Sequence, residues 1–212
     1  PAAYGDCLLV SCPMRDRTWR LLMDTGPDEC WPMLQERLAR IPPDADGKRH
    51  VDLVVISHID HDHIGAAGPL FSDRALNFHF GDVWFNAPPP KAPPSVARGV
   101  VAGQSLAMLL GALDRPLPWN AAFGGEHIVT PATDLFLELP APPGQPKITL
   151  LSPVRRHLSR LFRVWDRELE ALHRKEAAEA ADPPPMARGV PSPDPQALAA
   201  KVTPLDRAPA NG

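Results

Sequence analysis

An α/β fold is predicted from three observations. Short apolar, β-branched runs alternate along the chain with stretches whose apolar residues recur at helical spacing. One run, residues 51–56, is almost wholly apolar, as expected of a strand buried on both faces. A loop rich in histidine and aspartate follows that run directly. Strand ends of this kind are where α/β folds carry their chemistry, because a rigid sheet positions the loops there.

The first apolar run, residues 7–11, reads as a strand. Residues 19–23 read as its partner, with Met14 to Asp16 as the turn between them. Asp24-Thr25-Gly26-Pro27 then breaks the chain with Gly and Pro. Leu34, Leu38 and Ile41 fall at helical spacing, Pro32 suits a first helical turn, and Pro42-Pro43 ends the helix. Residues 82–86 read as a further strand, and residues 88–94 as a proline-rich loop. Leu106, Leu109, Leu110 and Leu113 mark an amphipathic helix over residues 100–114. Short strands are expected at 128–129, 135–137 and 148–151. Leu158, Leu161, Phe162, Trp165, Leu169 and Leu172 form the best helical stripe, predicting a helix over 154–180 with a charged outer face. The organisation expected is a main region 1–152, an amphipathic helix 153–181, and a proline-rich irregular segment 182–212.

Composition narrows the function classes. The 212 residues are 44% hydrophobic and 22% charged, with a formal net charge of −3, so no basic field exists of the kind that drives non-specific nucleic-acid binding. A nuclease stays open, because a bound metal adds local positive charge. The three cysteines, Cys7, Cys12 and Cys30, form no Cys-x-x-Cys pair and argue against a disulfide framework. They fit a reducing, cytoplasmic setting. No apolar run reaches the roughly 18 residues of a membrane span.

Chemistry concentrates in Ser57-His58-Ile59-Asp60-His61-Asp62-His63-Ile64-Gly65. Imidazole and carboxylate are the ligand types that borderline divalent metals prefer. In an extended loop alternate side chains share a side, so His58, Asp60 and Asp62 project together, and His63 joins them if the chain turns helical there. His58 and Asp60 can then serve one metal, and Asp62 and His63 another. Two such ions share a water and acidify it for attack.

With those residues in view, the chain resembles the metallo-β-lactamase superfamily, whose motif is His-x-His-x-Asp-His after a buried strand. Here the motif is His58-x-Asp60-x-Asp62-His63, with aspartate replacing the second histidine. That variant is similar to the hydrolase domain of the competence protein ComEC and its stand-alone relatives. Gly5-Asp6-Cys7 and Asp24-Thr25-Gly26-Pro27 look like the same branch. The resemblance covers residues 4–70 well and is weaker from Asp82 to Leu151.

The resemblance implies an αββα sandwich with two Zn²⁺ ions at one edge, Mn²⁺ being an alternative. It implies that His58, Asp60, Asp62 and His63 are metal ligands and that Asp62 also orients the nucleophilic water. Asp24 is implied to prop the metal loop. His61 falls at a variable position and is expected to be exposed or to support a ligand. The family's second-half ligands are not found: His79 and His127 are weak candidates, and nothing ties His157 or His173 to a site. The expectation is therefore the first half of the sandwich plus an inserted helical region, in the N-terminal part of a longer protein. Its missing C-terminal half would complete the site. The expected function is metal-dependent hydrolysis of a small-molecule or phosphodiester substrate, with nucleic acid among the candidates. The alternative is a non-catalytic metal-binding or partner-binding module.

Overall fold

The computed structural model describes residues 4–89, 91, 99–113, 117–131, 136–141 and 145–181. Its contacts divide the chain into two units, Pro1–Arg174 and Lys175–Gly212. Much of the proline-rich loop at 88–94, the position Leu135 and the whole of 182–212 lie outside the described residues.

The architecture is mixed α/β. Strand β1 (Leu8–Pro13) and strand β2 (Thr18–Met23) form the expected hairpin, closed by the Met14 N–H donating to the Arg17 carbonyl at 2.8 Å. A short 3-10 turn, Asp28–Cys30, leads into helix α1 (Trp31–Ala39), with Pro32 in its first turn. The run at 51–56, expected as one strand, is two: β3 (Arg49–Val51) and β4 (Leu53–Val55). Helices α2 (His61–Ile64) and α3 (Ala67–Ser72) follow, then strands β5 (Phe78–Phe80) and β6 (Val83–Trp84). Helix α4 (Val100–Ala112), strands β7 (Leu137–Glu138) and β8 (Thr149–Leu150), and helix α5 (Arg155–Ala181) complete the order. No strand forms at 128–129; Thr130 instead makes an isolated bridge to Val154.

The main sheet has the order β1-β2-β4-β6, with β2, β4 and β6 parallel and β1 antiparallel at the edge. Side chains alternate across it with the period of two that strands impose. Leu22, Val54 and Val83 enter one core with Leu34, Leu38, Leu70, Leu106 and Trp165, beneath the helices. Trp19, Leu53 and Trp84 enter a smaller cluster on the other face, with Ile128, Leu139 just after β7, and Leu150 of β8. The sheet is thus covered on both faces. On α5, Leu158, Trp165 and Leu169 are buried, whereas Leu161, at the edge of the stripe, is exposed. Among the described residues no helix is long and apolar enough to cross a membrane.

Asp52 explains why the 51–56 run breaks. Its carboxylate accepts from the Arg20 N–H at 2.8 Å and forms an ion pair with Arg17. Its backbone N–H donates to the Arg20 carbonyl at 2.9 Å. The β3 side of the break pairs with β5 in a separate two-stranded sheet, His50 standing opposite His79. Gly81 lies across from the break, where a Cβ would come within 2.4 Å of the Asp52 carbonyl oxygen. His50 also bonds the Asp44 carboxylate, and that bond is the main reason the Asp44 carboxyl titrates below its ordinary value. Partial burial, then the neighbouring His50 and Lys48, push His79 below its ordinary value.

Asp82 pins the far edge of the sheet. Its two carboxylate oxygens accept from the N–H groups of Val83, Ala121 and Ala122 and from the Trp84 indole, all at 2.8–2.9 Å. Four donors on one buried carboxylate leave no place for an amide N–H₂. Asp82→Asn is expected to lower stability by about 2–3 kcal/mol, the cost of stranding buried donors. A urea midpoint unchanged from the parent would contradict this.

Candidate metal centre

The site forms because two parallel neighbours, β2 and β4, end side by side. Met23 pairs with Val55, and the Asp24 N–H donates to the Val55 carbonyl at 2.8 Å, one step past the ladder. Asp24 then turns the chain with a φ of 57°, a left-handed conformation that Asp tolerates better than most residues. The turn aims its carboxylate sideways at the loop leaving β4.

That carboxylate is buried and holds three bonds. Oδ1 accepts from the Ser57 N–H at 2.7 Å. Oδ2 accepts from the Ser57 hydroxyl at 2.6 Å and from His63 Nδ1 at 3.0 Å. Thr25 seizes the backbone of the same histidine: its N–H and its hydroxyl both donate to the His63 carbonyl, at 2.8 and 3.0 Å. The Asp24-Thr25 pair therefore fixes His63 by ring and by backbone.

These bonds set the tautomers. A carboxylate only accepts, so His63 carries a proton on Nδ1, and in the neutral ring the lone pair is on Nε2. The Ser57 hydroxyl spends its one proton on Asp24, so at 2.9 Å it accepts from His58 Nδ1. In the neutral ring of His58 the lone pair is therefore also on Nε2. His63 Nε2 lies 3.6 Å from Asp62 Oδ2, and His58 Nε2 lies 3.7 Å from Asp60 Oδ2. A lone pair facing a carboxylate oxygen is unfavourable by itself, and either a proton or a metal cation between them resolves it. Two donors each 2.0–2.2 Å from one tetrahedral ion stand about 3.4 Å apart, close to both separations. The donor set therefore fits divalent metal.

The two histidine rings are only 3.7 Å apart between centroids. Two imidazoles on one tetrahedral ion hold their centroids about 5 Å apart. His58 and His63 thus stand closer than two rings on one tetrahedral ion. Asp24, His58 and His63 form one group whose ligand atoms converge, but the Asp24 oxygen is already taken by Ser57 and His63. Asp24 is thus placed to orient the rings.

One detail departs from expectation. Side-chain alternation along an extended loop reaches only to Asp60. The N–H groups of His63 and Ile64 donate back to the Asp60 carbonyl, at 2.9 and 3.1 Å, so a helical turn and not a strand presents Asp62 and His63. The same turn carries His61 away from the pair sites. Its Nε2 bonds Asp28 Oδ1 at 3.0 Å and stands 4.0 Å from Glu29 Oε2. These three exposed side chains make a second convergent group. A hydrogen bond with Glu29, and after it the one from His61, hold Asp28 below the ordinary carboxylate range. A hydrogen bond to Glu29 raises the Tyr4 phenol.

Sequence reasoning gave no role to Ser57, whose hydroxyl links Asp24 to His58; a hydroxyl directly before the first histidine was the available signal. Asp28 and Glu29 were also missed, because their nearness to His61 comes only from the chain crossing. His127, a weak candidate, is engaged elsewhere, its Nε2 on the Ala87 carbonyl at 3.0 Å. His79, the other, lies in β5.

Two glycines permit the crossings. A Cβ on Gly65 would come within 2.5 Å of the Asp28 nitrogen and 2.8 Å of the His61 oxygen, both backbone. A Cβ on Gly5 would overlap the Asp62 carbonyl oxygen. Cys7, in the same N-terminal segment, is pushed up to about 11 by burial and then by the Asp24 charge.

No family model, curated protein or solved structure matches the chain.

Two expectations follow from this geometry. Gly65→Ala has helical backbone angles to suit it, so its cost is steric and amounts to about 1–3 kcal/mol; an unshifted thermal midpoint would refute the crowding. Cys7, with a pKa of about 11 against an ordinary 9.0, carries about 100-fold less thiolate at pH 8 than an unperturbed thiol. Peptide-resolved alkylation by iodoacetamide should show that slowing, and a rate equal to a free thiol's would contradict it.

Proposed function

We propose that this protein is a metal-dependent hydrolase of metallo-β-lactamase-like plan, in the ComEC-like branch, acting on a phosphodiester substrate. The observation that carries the reading is the shared orientation of His58 and His63. Both are held through Nδ1 by the Asp24–Ser57 network, and both turn Nε2 toward a carboxylate. Histidines restrained in this way are a recurring support for metal ligation.

On this reading His58 and Asp60 hold one divalent cation, Zn²⁺ or Mn²⁺, and Asp62 and His63 hold a second. Such ions supply Lewis acidity and lower the pKa of a water from about 15.7 toward neutrality. The chain's own groups do the rest. Asp24, on His63 directly and on His58 through Ser57, places the lone pair of the neutral rings on Nε2 and holds both rings in direction. Asp62 has a carboxylate oxygen to accept a proton from the attacking water and to aim it. Glycine at position 5 lets the N-terminal segment pass against the Asp62 backbone. With a formal net charge of −3 the chain has no overall positive field, so on this reading the metal centre supplies the attraction for an anionic substrate.

Turnover of bis(p-nitrophenyl) phosphate in Mn²⁺ or Zn²⁺ tests the proposal. Asp62→Ala is expected to remove activity by about 100-fold or more, whereas His61→Ala leaves it within about threefold. Asp24→Asn presents an N–H₂ where His63 now donates, which favours the other tautomer. It should weaken metal binding by about 10–100-fold while the chain stays folded. Zinc binding without turnover of any ester class would instead identify a non-catalytic metal module. Absence of zinc binding to the loop would defeat the metal reading altogether.

A further inference from the structure

A second pair of histidines lies at the other end of the strands. His50 is in β3, before the Asp52 break, and the metal loop begins past β4, about 20 Å of extended chain later. We propose that His50 and His79 form a separate site for a divalent transition-metal ion, with Asp44 as the carboxylate that orients His50. The proposal does not depend on the function assigned to the loop.

The backbone sets the pair. β3 and β5 run parallel with His50 and His79 as direct partners, so both side chains leave the ladder on the same face. Their ring centroids are 5.0 Å apart, and the rings are tilted by 53°. A zinc ion 2.0–2.1 Å from one nitrogen of each ring, tetrahedral at the metal, holds two imidazole centroids about 5 Å apart. The His58–His63 pair, at 3.7 Å, lacks that spacing. The His50–His79 pair has it without rearrangement of the strands.

Asp44 supplies the support that metal-bound histidines ordinarily have. Its Oδ1 accepts from the N–H groups of Asp46 and Lys48, at 2.9 and 2.8 Å, which fixes the carboxylate in its turn. Its Oδ2 takes His50 Nε2 at 2.5 Å. With Nε2 as the donor, the neutral ring of His50 has its lone pair on Nδ1. The pattern repeats the Asp24–His63 bond of the loop, with the two ring nitrogens exchanged.

The surroundings leave the imidazoles available. Both histidines line a cleft of about 690 Å³ that also includes Arg17, Arg20 and Asp52. Arg17 is paired with Asp52, and an Arg20 guanidinium nitrogen points at the carbonyls of Thr18 and His50. Both arginines are thus turned to the protein, and the remaining cation whose charge acts on His79 is Lys48. The cleft has room for water to fill the remaining coordination positions, as expected of a two-histidine site with an imidazole-preferring ion such as Zn²⁺ or Cu²⁺.

The test uses the full chain carrying H58A and D62A, which removes donors from both loop pairs. By calorimetry this chain should still bind one Zn²⁺. Adding H79A should weaken that binding about tenfold or more, whereas adding H61A should not change it. No zinc uptake by the H58A/D62A chain, or uptake insensitive to H79A, overturns the proposal. Should H79A fail to fold by circular dichroism, sub-stoichiometric Cu²⁺ added to the H58A/D62A chain reads the site without altering it. Broadening of the His50 and His79 imidazole resonances ahead of the other histidines supports the proposal, and broadening confined to the others overturns it.

Discussion

The buried carboxylate of Asp24 is the interaction on which the candidate centre depends. It sits where β2 ends, and it reaches across to the loop that leaves β4. Without it, the Ser57 N–H, the Ser57 hydroxyl and the His63 ring would each lose their acceptor, and the two histidines would lose their shared direction. A buried carboxylate is tolerated there because all its accepting capacity toward the site is used. The parallel pairing of β2 and β4 comes first in this chain of causes, since it brings the two strand ends together.

Close backbone crossings complete the arrangement. The segment after Asp24 passes the end of α2 at Gly65, and the N-terminal segment passes Asp62 at Gly5. Side chains at those positions would push the crossing segments apart. The Gly26 N–H bonds the Asp6 carbonyl, and the Ala66 N–H bonds the Gly26 carbonyl, so the three segments are stitched through backbone alone. The two convergent ligand groups, Asp24-His58-His63 and Asp28-Glu29-His61, flank α2 as a consequence. A single helical turn sends His61 one way and His63 the other, as the roughly 100° step between residues requires.

The break at Asp52 matters to the other end of the sheet. By bonding Arg20 and pairing with Arg17, it ends one ladder and starts another, and so separates a face that carries His50 and His79 from the strands that carry the loop. Histidines bonded by an aspartate thus stand on both sides of the interrupted run, His50 directly before it and His63 in the loop and helical turn after it.

Much of this was legible in the residues themselves. The β1–β2 hairpin, the helices at α1, α4 and α5, and the density of histidine and aspartate after an apolar strand all follow from local periodicity and turn chemistry, which depend on near neighbours in the chain. The two-strand outcome at 51–56 was not legible, because Asp52 breaks the run only through Arg17 and Arg20, which are distant in sequence. The same holds for Ser57 as a link, for Asp28 and Glu29 beside His61, and for His50 facing His79. Residue type and spacing determined which groups could bind a cation. Strand order and register decided which of them meet, because hydrogen bonds across a sheet join positions that no local pattern relates.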